Sequence, residues 1–335
     1  MKYCDAIFEG GGVRGIGYVG AIVKFEESGY RFRNVAGSSA GAIIASLIAA
    51  GYSAPEMQEE LSKVSFENFK EPNVWKGFGK IGLMLSAAKH FGLYSADLFE
   101  KWLDDLLAKK NIHTFNDVGD RLKVTTSDIT EKRGLVLPDD LVKFGIDPGS
   151  FKISTAVRMS MGIPVFYEPY ELIDEEGAVH YIVDGGMLSN YPIWILDNGK
   201  NKPDIPIFGF RFIRYHGENN KSKKDNLFNY MKQIITTAIE ARDDDYNVIV
   251  HGDLQRTVYI DTKVGGKYVS VTDFNMNRET VIGLFKNGYD AASNFLISWN
   301  FKKWKSQFRR TGFLFSVGKR ESHRSAIKLW SRPSN

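Results

Sequence analysis

Gly37-Ser38-Ser39-Ala40-Gly41 fits the pattern Gly-x-Ser-x-Gly and falls between a strand-like run, residues 32–36, and an apolar helical run that stops at Gly51. A serine in a tight strand-to-helix turn needs small neighbours, which lift its hydroxyl above the sheet edge. The N-terminus of the new helix then aims its positive dipole end at the same place, where it favours developing negative charge. Ser39 is thereby the candidate nucleophile, with Gly37 and Gly41 as its supports. Ser38 reads as a capping hydroxyl. A helix-capping Gly/Ser turn would account for the same residues without any chemistry.

Gly10-Gly11-Gly12-Val13-Arg14-Gly15 also lies between a strand and a helix. It formally matches the dinucleotide-binding pattern G-x-G-x-x-G. That reading expects a ribose-binding acid at the end of the second strand, where this chain has Gly37-Ser38-Ser39; Glu26 and Glu27 fall inside the preceding helix. The phosphate-loop pattern G-x-x-x-x-G-K-[ST] is absent. Three consecutive glycines expose backbone N–H groups and suit an anion cradle. With a nucleophile turn one βα unit later, an oxyanion hole built from Gly10, Gly11, Gly12, Val13 and Arg14 is the better reading, Gly15 supporting it.

Asp184-Gly185-Gly186 follows the strand-like residues 179–183. An acid at a strand end, released by two glycines, can reach a neighbouring site, although Asp-Gly is also a common turn pair. Histidine is the usual base of a serine hydrolase. His90, His113, His180, His216, His251 and His323 stand in no obvious motif. His180 is four residues from Asp184, roughly 13 Å along a strand, too far to share one site with it. His216 and His251 follow Asp184, so the order Ser…Asp…His stays formally open.

The elements that must position these groups alternate. Residues 2–8 read as a strand, 13–28 as a helix whose Gly17, Gly20 and Ala21 permit close packing, then comes the 32–36 strand and the helix to Gly51. This alternation predicts an α/β fold with a mostly parallel sheet. Residues 54–110 read as mostly helical, 121–129 and 134–137 as strands, and 153–161 as a helix. Further on, 205–212 and 257–261 read as strands, 278–296 as a helix, and 227–247 as an amphipathic helix with Leu227, Met231, Ile234, Ile235 and Ala238 on one face. The loop 215–225 is polar and reads as solvated.

Taken together and in this order, the glycine loop, Gly37-Ser38-Ser39-Ala40-Gly41, the segment Arg158-Met159-Ser160-Met161-Gly162-Ile163-Pro164-Val165-Phe166-Tyr167-Glu168-Pro169, and Asp184-Gly185-Gly186 resemble the bacterial side of the patatin-like phospholipase family. The resemblance covers about residues 3–212. It implies a three-layer α/β/α fold and a serine lipid acyl hydrolase that uses Ser39 as nucleophile, Asp184 as base and no histidine. It places the oxyanion hole in the glycine loop, with Gly185 and Gly186 supporting Asp184. Plant members have Asp where this chain has Glu9; that acid takes no part in the reaction. Residues 213–300 read as the C-terminal part of the same domain and 301–335 as a basic tail. The substrate so implied is a phospholipid or other lipid ester, cleaved in a phospholipase A-type reaction, with no nucleic-acid partner. No metal or organic cofactor is called for. A non-catalytic lipid- or acyl-binding protein on the same scaffold is the alternative, which the intact Ser39, Asp184 and glycine loop disfavour.

Charge and apolar patterning add location. The net charge is +4, but residues 301–335 hold ten Lys/Arg and only Glu321 as acid, so this stretch is +9 and the rest −5. Cys4 is the one cysteine, which excludes an intrachain disulfide and suits a reducing compartment. The longest small-apolar run, residues 40–51, falls short of the roughly 20 residues a membrane span needs. The chain starts straight into a strand, with no room for a signal peptide. The expectation is a soluble, cytoplasmic protein meeting membranes at their surface. Residues 75–94 read as an ordinary buried helical pair or as a mobile cap with apolar and lysine side chains at a lipid interface. Trp304, Phe308, Phe313, Phe315 and Trp330 would lend the tail the same ability.

Overall fold

Cys4, Ala6, Ile7 and Phe8 are all fully buried, so the first strand has no solvent face from Cys4 onward. That is the environment of a central parallel strand covered on both sides. The computed structural model, which describes residues 1–64, 66–69, 71–72, 89–197, 203–213, 230–231, 233–235, 237–239, 252–271, 273 and 275–308, places it there. The main sheet comprises β1 (Lys2–Phe8), β2 (Tyr30–Ser38), β3 (Leu122–Asp128), β4 (Arg133–Leu137), β5 (Tyr170–Ile173), β6 (Val179–Asp184), β7 (Ile207–Phe212) and β8 (Thr257–Ile260). Its order is β8-β7-β1-β2-β3-β6-β5, with β4 paired to β3. The five strands from β8 to β3 are parallel; β4, β6 and β5 are antiparallel to their neighbours. The α/β fold with a mostly parallel sheet is therefore as expected.

The two faces carry different cores. On one, Phe25 of α1 (Ile16–Glu27) meets Phe208 and Phe210 at ring separations of 5.0 and 5.1 Å, and Phe8 stacks on Phe210 at 4.8 Å. On the other, Ile7, Ala36 and Ile207 pack with Tyr191 and Ile193. Helices α2 (Ala40–Ala49), α3 (Ala54–Ser62), α4 (Asp97–Ala108), α5 (Ile153–Met161), α6 (Gly186–Ser189), α7 (Arg278–Ser298) and α8 (Phe301–Phe308) complete the layers. α1 and α7 cross at glycines: a Cβ on Gly20 would fall on the Phe285 carbonyl, and one on Gly288 on that of Gly17. The small residues read from the sequence are what let these helices touch.

Several expectations shift. The helix expected over 13–28 begins as a 3-10 turn, Gly12–Gly15, because the glycine loop must first bend around the site. The mostly helical 54–110 holds short strands at Glu71–Pro72 and Gly92–Ser95, which form a small sheet with Val165–Tyr167. Most of 227–247 lies outside the described residues. Its described part is helical, but Met231 and Ile234 are 39% and 51% exposed, so the expected inward face is not buried there. The basic stretch 301–335 does not begin as a free tail. Trp304 of α8 is buried, donates Nε1–H to the Gly252 carbonyl at 2.8 Å and stacks under Arg256. It is thus a packing residue, unavailable to a lipid surface. Residues 309–335, with Phe313, Phe315 and Trp330, lie outside the described part, as do 73–88, most of the candidate cap. Among the described residues no helix is long and apolar enough to cross a membrane.

Candidate active site

β2 ends at Ser38 and α2 starts at Ala40, leaving Ser39 as the turn. Its backbone takes φ 51° and ψ −125°, a region that a non-glycine residue occupies only when its surroundings enforce it. Gly37 and Gly41 make the turn possible. A Cβ on Gly37 would strike the Gly41 backbone, and one on Gly41 would strike the Phe8 carbonyl. The apolar α2 is buried along its whole length, which fixes its N-terminus under the serine.

Asp184, the last residue of β6, reaches this turn. Ser39 Oγ donates to Asp184 Oδ2 at 2.7 Å, and Gly186 N–H donates to Oδ1 at 2.7 Å. Both side chains are buried, at 7% and 2% exposure. Burial pushes the Asp184 pKa up to about 6; the hydrogen bonds from Ser39 and Gly186 oppose it and lose. A carboxylate so placed is a better base than a solvated one. Gly185 is tightly enclosed, since a Cβ there would meet the Thr125 carbonyl.

The glycine loop closes the third side. Gly10 N–H is held by the Asn190 carbonyl at 3.0 Å, Val13 N–H by the Val271 carbonyl at 3.1 Å, and Arg14 N–H by the Gly11 carbonyl at 3.3 Å. Of the five residues expected to form the anion cradle, Gly11 and Gly12 have N–H groups that no described residue holds in this way. Val13 and Gly15 are buried in the turn, and Arg14 lies over the Phe212 ring at 4.9 Å. A cavity of about 40 Å³ is lined by Glu9, Gly10, Gly11, Gly12, Arg14, Ser39, Ile163, Asp184, Asn190, Ile239 and Val271. Ser39, Asp184 and the glycine loop, scattered in sequence, thus meet in one place.

His180 has its own partners. Its ring nitrogens face Asp128 at 3.1 Å and Asp174 at 3.2 Å. Burial alone would lower its pKa; the bonds to Asp174 and Asp128 outweigh that and raise it. His216 and His251 lie outside the described residues, and no described histidine lines the cavity. Among the described residues no three His, Cys, Asp or Glu side chains gather as a metal site.

Sequence reasoning passed over three residues. Glu9, set aside as an inert neighbour of the glycines, is 1% exposed and lines the cavity. It accepts from Arg211 Nε at 3.2 Å, Phe212 N–H at 3.0 Å and Asn190 Nδ2 at 3.4 Å. Asn190 and Arg211 thereby anchor the start of the loop. A buried acid beside a glycine run was the available signal; its partners sit far away in the chain and left none.

The patatin-like phospholipase family model matches residues 6–197. The chain belongs to the patatin-like phospholipase family. The uncharacterized protein YqhO of Bacillus subtilis (strain 168) is 35% identical over 89% of this chain and 100% of its own length. A protein of Invertebrate iridescent virus 6 described as probable lipid hydrolase 463L is 24% identical over 70% of this chain and 73% of its own. VipD from Legionella pneumophila, at 20% identity, superposes over 89% of this chain and 67% of its own with a TM-score of 0.54, a likeness of fold. Ile239 and Val271, which wall the cavity, come from beyond the family-matched stretch.

Proposed function

We propose that this chain is a lipid acyl hydrolase of the phospholipase A type, working through an acyl–Ser39 intermediate. The observation that carries this reading is the 2.7 Å hydrogen bond from Ser39 Oγ to a buried Asp184 carboxylate. Membership of the family and the likeness to a probable lipid hydrolase support lipid-ester chemistry.

Asp184 takes the Ser39 proton as Oγ attacks the ester carbonyl carbon. The carbonyl oxygen becomes an oxyanion, whose stabilisation this reading assigns to the N–H groups of the cavity-lining Gly11 and Gly12 and to the N-terminus of α2. One such donor typically contributes on the order of 2.7–4 kcal/mol. The tetrahedral species collapses, and the proton on Asp184 passes to the departing alcohol oxygen of the lysolipid. Water then attacks the acyl–Ser39 ester while Asp184 accepts its proton; the carbonyl–Oγ bond breaks, Asp184 returns the proton to Ser39 Oγ, and the fatty acid leaves. Ile163, Ile239 and Val271 give the cavity beside Ser39 apolar walls. Substrate would be drawn from a membrane surface, which the protein meets peripherally.

The test combines a fluorophosphonate probe with lipid analysis by mass spectrometry. Wild type should be labelled at Ser39 and release fatty acid from phospholipid vesicles; Ser39→Ala should do neither. Fatty-acid release that survives Ser39→Ala overturns the assignment. Tight binding of lipid without labelling or turnover would favour a lipid-binding protein.

A further inference from the structure

Ser39 holds an enforced backbone conformation, and one hydroxyl group stands against it. Ser39 N–H donates to Ser160 Oγ at 2.8 Å. Ser160 Oγ in turn donates to the Thr125 carbonyl in the middle of β3 at 2.7 Å. The same residue uses its main chain on the other catalytic element: Gly185 N–H donates to the Ser160 carbonyl at 3.2 Å. Ser160 is fully buried in the last turn of α5. Thr155 and Ser154 tie that helix to α4, by hydrogen bonds to Glu100 at 2.5 Å and Asp104 at 3.2 Å.

We propose that Ser160 is a positioning residue for the nucleophile, locking the Ser39 turn at the distance from Asp184 that proton transfer requires. It does not itself line the cavity and acts through Ser39, which does. Its hydroxyl is a two-way strut. As acceptor it satisfies the one backbone donor of Ser39 that would otherwise be buried and unpaired; as donor it fixes that strut to the sheet. Because its carbonyl also holds the turn after Asp184, nucleophile and base share a single mount. A further consequence is that the N–H of Ser39 is committed to this mount, so oxyanion stabilisation falls to the glycine loop and α2. The inference rests on the Ser39–Asp184 reading above and deepens it.

Removing the hydroxyl frees the turn to relax. A misplacement of about 1 Å at a reacting atom is enough to cost on the order of 10²-fold in rate. The experiment measures the rate constant for fluorophosphonate labelling of Ser39, per folded molecule, with kcat and KM on a soluble ester. Wild type is compared with Ser160→Ala, Ser160→Cys and Ser160→Thr. Ser160→Cys keeps the volume, and so the fold, while its sulfur accepts an N–H poorly. Ser160→Thr restores a hydroxyl. The expected result is a loss on the order of 10²-fold in labelling rate and kcat for the Ala and Cys variants. KM should be unchanged, the Thr variant should recover, and in the Ala and Cys variants the acid limb of the pH profile should move to higher pH, since the Ser39 hydrogen bond that holds the Asp184 pKa down is loosened. Equal labelling rates for wild type, Ala and Cys overturn the proposal, as does a loss confined to KM or one that the Thr variant does not reverse. Wild type that labels at Ser39 but hydrolyses no lipid defeats the phospholipase reading alone. Wild type that does not label at all defeats both.

Discussion

Val13 donates its N–H to the carbonyl of Val271 at 3.1 Å, so the glycine loop is held by a segment that lies well beyond the family-matched residues 6–197. β8 and α7 come from the same late region, one extending the sheet and the other covering α1. A chain ending at Ile213 keeps Ser39, Asp184 and every glycine of the motifs. It should nevertheless show no fluorophosphonate labelling and no ester hydrolysis, because its loop has lost a fixed point and α1 its partner. Wild-type labelling by the truncated chain would show that the late region is dispensable to the site.

Gly12 is the loop position least open to change. Its φ is 56°, and a Cβ there would fall on the Val271 carbonyl, which is backbone and cannot move aside as a side chain can. Gly12→Ala should displace either the loop or the 270–271 segment. Loss of a single oxyanion donor costs roughly 10²–10³ in kcat, and at least that much is expected here. Activity on a soluble ester, with circular dichroism to confirm the fold, is the measurement. Activity within a few-fold of wild type would remove Gly12 from the oxyanion hole.

Ser39→Ala and Asp184→Asn should each lower kcat by three orders of magnitude or more, taking nucleophile and base together as a unit, on the order of the effects of removing such groups elsewhere. The pH profile follows from the Asp184 pKa of about 6. The base must be ionised, so kcat/KM should rise through pH 6 and level off above it. Replacing His113, an exposed described histidine, should leave the profile unchanged. An acid limb that disappears with a histidine substitution would point to a base other than Asp184.

The convergence of Ser39, Asp184 and the glycine loop was legible because each of its motifs is local. Each motif is a run of small residues at a strand end, and a run of that kind announces a turn wherever the chain goes next. The layered α/β class was legible for a similar reason, since periodicity reports local conformation. What escaped depends on partners distant in sequence. Glu9 reads as a neighbour of the glycines until Arg211 and Asn190 are brought against it. Ser160 reads as one residue of the helix 153–161 until its hydroxyl is seen against the Ser39 amide. Trp304 reads as a membrane-seeking aromatic in a basic tail, yet its indole is buried over Gly252, and charge patterning carries no information about that docking. The short strands near residues 71 and 92 were invisible because they pair with each other and with Val165–Tyr167, and such pairing has no local period.

Function and stability should oppose each other at Asp184. Its folded pKa, about 6, lies above the ordinary value of 3.8 that it has when exposed. A raised carboxyl pKa means that the protonated form is favoured on folding. Below pH 4 the group is protonated in both folded and unfolded chains and imposes no penalty. Between about 4 and 6 the unfolded chain ionises first and stability falls; above 6 the folded protein carries the whole cost of a buried charge. That cost is on the order of 3 kcal/mol at 1.36 kcal/mol per pKa unit. Asp184→Asn removes the titration and keeps an acceptor oxygen for Gly186 N–H. The inactive variant should therefore unfold at a higher urea concentration than wild type at pH 8, and the difference should shrink as pH falls to 4. Urea titrations at the two pH values measure it. A gap of the same size at both would mean that Asp184 is ionised in the folded protein at no net cost, and the elevated base strength on which the proposed mechanism depends would go with it.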